Sequence, residues 1–512
     1  MSRTITRLGF TALALAAGTV AFAQSSTTGA LNGLITDAQG NPVAGAVVRI
    51  TSAQVTRLET TAVNGTYRFG LLNPGAWRIT VTKAGMQTLS RDIVVNTNTT
   101  HPVNFKIAAV TSATVEVVGT QTIAADVTST QTGYTANMGE LAQLPIGRDI
   151  NTVAYFSPGV VDSGQLGGIS IAGASGLENQ YIVDGLMSND LREGFSGAGM
   201  PSDFVDQVEV QTGGYKPEFS ALGGVFNVVT KSGSNDFAGS AWFTTDLRGS
   251  QAVAKRNDLF RQAEANNRFD YGAAAGGAIL KDKLFYFVGV NNTSTETPDS
   301  AQEPNNNGLT NSQQKTTNLQ VYGKINWYLA MDHQLAFTAK VDRFEDKLPV
   351  AYPTNGTAQF GRTFKSNTDN FGLNYDWTIS SSLFLSAKYG QTKFKDTQTP
   401  VDLANFMVQD NIWFSAGPGS LPGGNPAGLD PSTRFTTGGY GRYTPLSEST
   451  TSQLKIDLSW FLGSHNLKFG ISQTDADFTL LDGQSGPMDT PYGGSGVYPY
   501  RIAIRSNGGV FN

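Results

Sequence analysis

Residues 371–379 read Phe371-Gly372-Leu373-Asn374-Tyr375-Asp376-Trp377-Thr378-Ile379. Large apolar side chains hold every odd position; Gly, Asn, Asp and Thr hold the even ones. A repeat of two is the repeat of a β-strand, whose successive side chains point to opposite faces. The neighbouring sequence repeats the pattern. Leu319, Val321, Gly323, Ile325 and Trp327 oppose Gln320, Tyr322, Lys324 and Asn326. Leu335, Phe337, Ala339 and Val341 oppose Thr338, Lys340 and Asp342, and Leu454, Ile456, Leu458, Trp460 and Leu462 oppose Lys455, Asp457 and Ser459. Each run is about 9–11 residues, enough for a tilted strand to cross a bilayer. Alternation alone also fits any sheet with one wet face.

The connections decide between the two. Lys281–Lys283, Ala330–His333, Ser380–Ser382 and Gly463–His465 are short turns. Leu247–Arg268, Asn291–Thr317, Glu345–Thr368 and Lys395–Thr451 are long and polar. Short and long alternate without exception, as in outer-membrane barrels with short periplasmic turns and long outer loops. With Phe237–Leu247 as the first strand, every long loop falls on one side. Phe, Tyr and Trp number 15 in residues 1–236 and 37 in residues 237–512, the aromatic density of a membrane barrel's girdles. The pattern counts nine strands by Phe478 and a tenth near Tyr498–Arg505. A 22-stranded plugged barrel needs roughly 600 residues at this spacing, whereas 276 follow Asp236. The sequence is therefore expected to be a fragment carrying an incomplete antiparallel transmembrane barrel of 9–10 strands.

Upstream, Arg3 and Arg7 precede an apolar run, Leu8–Phe22, which ends in Ala21-Phe22-Ala23. This is the form of a secretory signal, with cleavage expected after Ala23. From Gly29 to Ile107 short β runs alternate with turn signals such as Asn41-Pro42, Asn64-Gly65 and Asn73-Pro74-Gly75. About seven strands in ~80 residues read as a small β-sandwich, with Asn64-Gly65 as a hairpin turn. Residues 108–127 are rich in Thr, Val and Ala and read as a linker. Residues 128–236 are Gly-rich with mixed short β runs.

Composition excludes several functions. The chain has no Cys and three widely separated His, so thiolate metal sites, Cys nucleophiles and paired-His zinc motifs are absent from it. With 36 Lys+Arg against 41 Asp+Glu it lacks the basic excess of a nucleic-acid binder. Charged residues are 15%, against ~25% in ordinary soluble domains. No sequence signature sets a general acid against a base, so neither an enzyme nor a cofactor is expected.

The whole chain resembles the N-terminal half of an Oar-like TonB-dependent outer-membrane receptor. Gly29–Ile107 is similar to the carboxypeptidase regulatory-like domain that precedes the plug in such proteins. Leu144-Pro145-Ile146-Gly147-Arg148-Asp149, Ser157-Pro158-Gly159-Val160, Glu178–Gly185, Val205–Gly214 and Gly223–Gly233 follow one another as their plug motifs do. The resemblance implies a signal peptide at 1–23, a carbohydrate-binding-like sandwich at 24–107, a linker at 108–127, an α/β plug at 128–236 and a barrel from 237 to 512. It further implies ligand docking at the outer loops, and energy from the inner-membrane proton gradient through TonB with ExbB and ExbD. Outer-membrane lipid and lipopolysaccharide would surround the wall.

Candidate sites follow, each beside a plainer reading. Thr114, Val115, Glu116, Val117 and Val118 look most like the TonB box, an extended segment suited to β-augmentation; they also read as linker or a last sandwich strand. Asp184-Gly185 reads as a turn within the plug, or as a ligand or gating element. Arg148 and Asp149 could tie plug to barrel, or be solvated. Trp413, Phe414, Tyr440 and Tyr443 could stack on sugar rings, or anchor loops at the membrane rim. Lys324, Lys340, Lys388, Lys455 and Lys468 are expected to pair with Asp342, Asp376 and Asp457 inside the lumen. The ligand is not legible; the sandwich suggests a carbohydrate. The alternative function is a surface carbohydrate receptor or adhesin without active transport.

Overall fold

The computed structural model describes residues 26–109, 117–120, 131–141, 148, 150–162, 169–190, 199–216, 218–219, 221–251, 266–298, 313–348, 362–400, 442–462, 465–484 and 502–505. The strands fall into three units. The first is a sandwich of β1 (Gly29–Thr36), β2 (Val47–Thr51), β3 (Thr56–Thr60), β4 (Thr66–Leu72), β5 (Gly75–Thr82), β6 (Leu89–Val95), β7 (Thr100–Pro102), β8 (Phe105–Lys106) and β9 (Val117–Thr120). One sheet runs β4-β1-β7 with β8 beside β1, and the other runs β3-β2-β5-β6-β9. Alternating residues such as Val48, Ile50, Trp77, Ile79 and Val81 meet Leu31, Ile35, Tyr67 and Phe69 between them.

Asn64-Gly65 makes a turn, with Gly65 at φ 74° and the Asn64 Oδ1 accepting from the Thr66 N and Oγ1. It does not make a hairpin. β3 pairs with β2 and β4 with β1, so the turn carries the chain from one sheet to the other. Burial of Tyr67 and Phe69 on the opposite layer prevails over the local hairpin signal. Within the stretch read as linker, β9 adds in parallel to the edge of β6.

The central unit holds β10 (Thr132–Asn137), a hairpin of β11 (Val160–Asp162) and β12 (Ile169–Ile171), β13 (Gln180–Val183), β14 (Leu186–Met187), β15 (Val205–Gly213) and β16 (Val225–Thr230). Its main sheet runs β10-β15-β16-β13-β14, with β13 and β16 parallel and the other pairs antiparallel. Among the described residues its helix is one four-residue α-helix, Met138–Leu141, and short 3-10 turns. Its described elements are therefore a mixed β-sheet with short helical turns.

The third unit is a ten-stranded sheet in strict sequence order, all antiparallel. It comprises β17 (Ala238–Asp246), β18 (Asn267–Leu280), β19 (Leu284–Pro298), β20 (Gln313–Ala330), β21 (His333–Leu348), β22 (Arg362–Ser380), β23 (Leu383–Pro400), β24 (Arg442–Leu462), β25 (His465–Gln484) and β26 (Ile502–Arg505). Nine strands and a short tenth match the count from alternation. The strands are longer than the apolar runs, however. The 18 residues of β20 span ~60 Å at ~3.3 Å each, about twice a bilayer's hydrocarbon core. The excess is polar, as in Thr293–Pro298 and Lys315–Asn318, and carries β pairing beyond the membrane.

Candidate functional site

This sheet is inside out. Ile325 and Trp327 are 42% and 45% exposed, whereas Tyr322 and Asn326 between and beside them are 2% exposed. The same inversion holds on β22, where Leu373 is exposed and Asn374 and Asp376 are buried. An exposed apolar face of this extent needs a partner, and hydrocarbon is the partner whose chemistry fits strands that satisfy their backbone through neighbours. The polar face is buried because the central unit lies against it. One apolar core crosses the boundary: Phe204, Val205, Val208 and Val228 of the central unit pack with Ala274, Phe287 and Tyr322 of the wall. The Phe204 ring stacks on Tyr322 at 6.1 Å between centroids and meets Trp242 edge-on at 6.3 Å.

The Asp184-Gly185 turn is the deepest polar contact. β13 and β14 are joined by these two residues alone, and both have positive φ, 47° and 85°. Such a two-residue turn suits the strand twist, and Asp and Gly are the residues that tolerate it. The turn tip reaches the wall. Asp184 accepts from the Thr230 N at 3.1 Å and the Thr230 Oγ1 at 2.6 Å. Lys324 Nζ of β20 lies 3.2 Å from its Oδ1, with both side chains buried. The Tyr322 hydroxyl donates to its Oδ2 at 3.4 Å and also hydrogen-bonds the Thr230 hydroxyl. Asn374 Nδ2 of β22 donates to the Asp184 carbonyl at 3.0 Å. A buried carboxylate with this many donors, one of them cationic, is held in register with the wall. Asp184-Gly185 thus forms a turn whose tip touches the wall.

Other ties surround it. Gln453 of β24 clasps Met187 through both backbone groups, accepting from N at 2.9 Å and donating to O at 3.2 Å. Gln320 and Lys340 both donate to the Gly199 carbonyl at 2.8 Å. Glu218 pairs with Lys455 at 3.5 Å and with Lys468. Burial pushes the Glu218 carboxyl up, but Lys468 and Lys455 outweigh it and hold it below the usual carboxylate range.

Arg148 lies between the two units. It pairs with Asp203 of the central unit, lies 3.8 Å from Asp270 of β18, and covers the Trp242 ring at 4.7 Å. Asp149 lies outside the described residues. Of the expected lumen pairs, Lys340–Asp342 and Lys455–Asp457 form, at 3.6 and 3.7 Å. Lys324 turns instead to Asp184 and Lys468 to Glu218, while Lys388 donates to the Thr27 Oγ1 at 2.8 Å. Those partners lie on other units, so each of these lysines ties the wall to the plug or the sandwich. Thr230, Glu218 and Gln453 were not anticipated. The lumen parity of β24 marks Gln453, but no local pattern marks Thr230 or Glu218.

The sandwich closes the short-turn end. Asn73 Nδ2 donates to the Tyr328 hydroxyl at 2.9 Å, Gln334 Nε2 donates to the Asn73 Oδ1 at 3.2 Å, and Arg57 donates to the Thr378 Oγ1 at 3.1 Å. Arg68 sits over Phe461 at 3.7 Å. On the central unit, Gln207 accepts from the Thr97 N at 2.6 Å, and Asn98 donates to Glu209 at 3.2 Å. Burial pushes the Glu209 carboxyl up.

Of the candidate TonB box, Val117 and Val118 pair through their backbone with Leu89 and Ser90 of β6. Thr114, Val115 and Glu116 lie outside the described residues, as do Ala23, Trp413, Phe414 and Tyr440. Tyr443 lies in β24, opposite Gly483 of β25. Among the described residues no helix is long and apolar enough to cross a membrane.

The chain belongs to the outer-membrane β-barrel family: the outer membrane beta barrel domain matches residues 229–303 and 291–497, just over half of it. It is a homologue of Oar-type TonB-dependent transporters, and its place is the outer membrane. The carboxypeptidase regulatory-like domain matches residues 30–108. The TonB-dependent transporter Oar of Myxococcus xanthus is 34% identical over 292 residues, 53% of this chain and 27% of that protein. The ferrienterobactin receptor of Escherichia coli (strain K12) is 26% identical over 160 residues, 27% of this chain and 21% of that protein. The chain thus spans about a quarter of the length of the curated relatives it matches. The outer membrane transporter YddB of Escherichia coli shares the fold, with a TM-score of 0.53 at 17% identity over 69% of this chain and 49% of that one.

Proposed function

We propose that the chain carries the periplasmic sandwich, plug and part of the wall of a TonB-dependent receptor that imports a ligand. Residues 24–107 are the sandwich, 108–127 the segment offered to TonB, 128–236 the plug and 237–512 the wall. The observation that supports this most is the seat of Asp184 on Tyr322, Lys324 and Asn374: a folded unit bound inside an inside-out sheet. A lumen so filled passes nothing until the plug shifts. Shifting it breaks charge-assisted bonds between buried groups, so it needs work from outside the membrane. TonB with ExbB and ExbD would supply that work through strand addition to residues 114–118, once Val117 and Val118 leave the edge of β6.

The test has two arms. The purified periplasmic domain of TonB should capture the complete receptor, and Val115→Pro should abolish capture while the barrel still assembles. Ferric enterobactin, the cargo named for one relative, and a maltooligosaccharide are then supplied to cells with and without a protonophore. Accumulation that stops with the protonophore supports import. Retention of ligand indifferent to the protonophore, with TonB capture absent, would make the protein a surface receptor or adhesin.

A further inference from the structure

We infer that the sandwich turn Ser52–Val55 latches the linker between plug and wall, so that the plug leaves the lumen only after the sandwich has undocked. The inference rests on the proposed reading of residues 128–236 as a plug.

The turn is built to present one side chain. It joins β2 to β3, and the Ser52 Oγ accepts from the backbone N of Gln54 and of Val55, both at 3.2 Å. A serine hydroxyl folded back on the next amides fixes such a turn locally. Gln54 at its tip is buried, and both polar atoms of its side chain are engaged. Its Nε2 donates to the Gly233 carbonyl at 2.6 Å. Its Oε1 accepts from the Asn73 Nδ2 and from the Tyr328 hydroxyl of β20, both at 2.9 Å. One side chain thereby ties together sandwich, linker and wall.

Gly233 belongs to the stretch Lys231–Phe237, which connects the last plug strand, β16, to the first wall strand, β17. Asn235 holds the same stretch. Its backbone N donates to the Ala53 carbonyl at 3.0 Å, and its Nδ2 donates to the Gln54 carbonyl at 2.9 Å. The same carboxamide exchanges two bonds with Asp282 in the turn between β18 and β19, each 2.8 Å. Gly233 lies so close to the wall that a Cβ there would fall 2.2 Å from the Tyr286 carbonyl oxygen. The linker is thus wedged between sandwich turn and wall. Moving β16 out of the lumen must re-angle this backbone, and the bonds from Ala53 and Gln54 resist it.

The sandwich also bars the way. Its contacts run across five consecutive wall strands, at Tyr328 of β20, Gln334 of β21, Thr378 of β22, Phe384 of β23 and Phe461 of β24. Its turn between β6 and β7 grips plug strand β15, where Gln207 accepts from the Thr97 N and donates to the Asn96 Oδ1 at 2.9 Å. A plug displaced toward the short turns meets this layer first.

Hydrogen exchange of the complete receptor in detergent, read by mass spectrometry, tests the order of events without ligand or TonB. Its outcome is therefore separate from that of TonB capture, which tests the transport reading. Asn73→Cys/Gln334→Cys, bridged by a short bis-maleimide, fastens the sandwich to the wall. Exchange in plug strands β13, β15 and β16 should then slow about tenfold or more against the same protein capped with N-ethylmaleimide, since opening now lacks its first step. Gln54→Ala removes the two bonds that leave the sandwich and should speed the same amides about 25-fold, at about fivefold a bond. If Gln54→Ala fails to assemble, the bridged protein decides alone. Plug exchange unchanged by the bridge overturns the inference, because the plug then opens beneath a docked sandwich. So does a Gln54→Ala receptor in which only sandwich amides quicken, and so does a cysteine pair that cross-links only between chains.

Discussion

Replacing Lys324 by Met should unseat the plug by a measurable amount. Lys324 is the cation facing Asp184 at 3.2 Å, and both side chains are almost completely buried. Without it the carboxylate keeps its bonds from Thr230 N and Oγ1 but loses its counter-charge in a buried site. Breaking a buried pair in this way costs about 3–5 kcal/mol, between two and four powers of ten in an opening equilibrium. The chain has no Cys, so one introduced thiol reports on opening without background. Ser188 is buried just beyond β14 and suits the near-isosteric Ser188→Cys. The rate of maleimide labelling at that thiol follows the fraction of time the turn is unseated. Lys324→Met should raise the rate by two to almost four powers of ten. The double variant Asp184→Asn/Lys324→Met removes both charges and should be milder than Lys324→Met alone, since Asn tolerates the positive φ at that position. A labelling rate within fivefold of the parent, or strictly additive effects in the cycle, would refute the account of this contact.

Two further predictions concern the flanks of the plug. Lys468 and Lys455 hold the Glu218 carboxyl below its ordinary value of 4.5 against the upward push of burial. A depressed folded pKa contributes stability that is present above the unfolded value and lost as pH falls through the folded one. In acid titrations followed by tryptophan fluorescence, the parent should therefore differ from Glu218→Gln only below that ordinary value, where the parent loses the stability this carboxylate contributes. At the short-turn end, Asn73→Cys with Gln334→Cys should be bridged within one chain by a short bis-maleimide, given side chains 3.2 Å apart in the parent; only intermolecular products would place the sandwich elsewhere.

The membrane sheet was legible because one local rule, alternation, acts along every strand, and the parity of turns and loops repeats it. Strand length was less legible. Beyond the hydrocarbon both faces are polar, so residues such as Thr293–Pro298 show no contrast to read, yet their backbone still pairs with Gln313–Asn318. In the sandwich, Asn64-Gly65 looked like a hairpin. Its turn chemistry is local, but which sheet β4 joins depends on Tyr67 and Phe69 finding the core. The plug-to-wall pairs were the least legible. Lys324 and Asp184 are 140 positions apart, and nothing near either residue names the other. The sequence shows which lysines face the lumen, but their partners depend on where the plug sits.

The central claim is that the exposed apolar face of this sheet meets lipid. Leu373 lies mid-strand on that face, 40% exposed, opposite Phe337 and Tyr389 on the neighbouring strands. The most direct measurement is the folding free energy of the complete protein into bilayers, by denaturant titration, for the parent and for Leu373→Arg. An arginine near the bilayer midplane should cost about 2–4 kcal/mol. A change of less than a few tenths of a kcal/mol, as expected for a solvent-facing surface, would contradict the account.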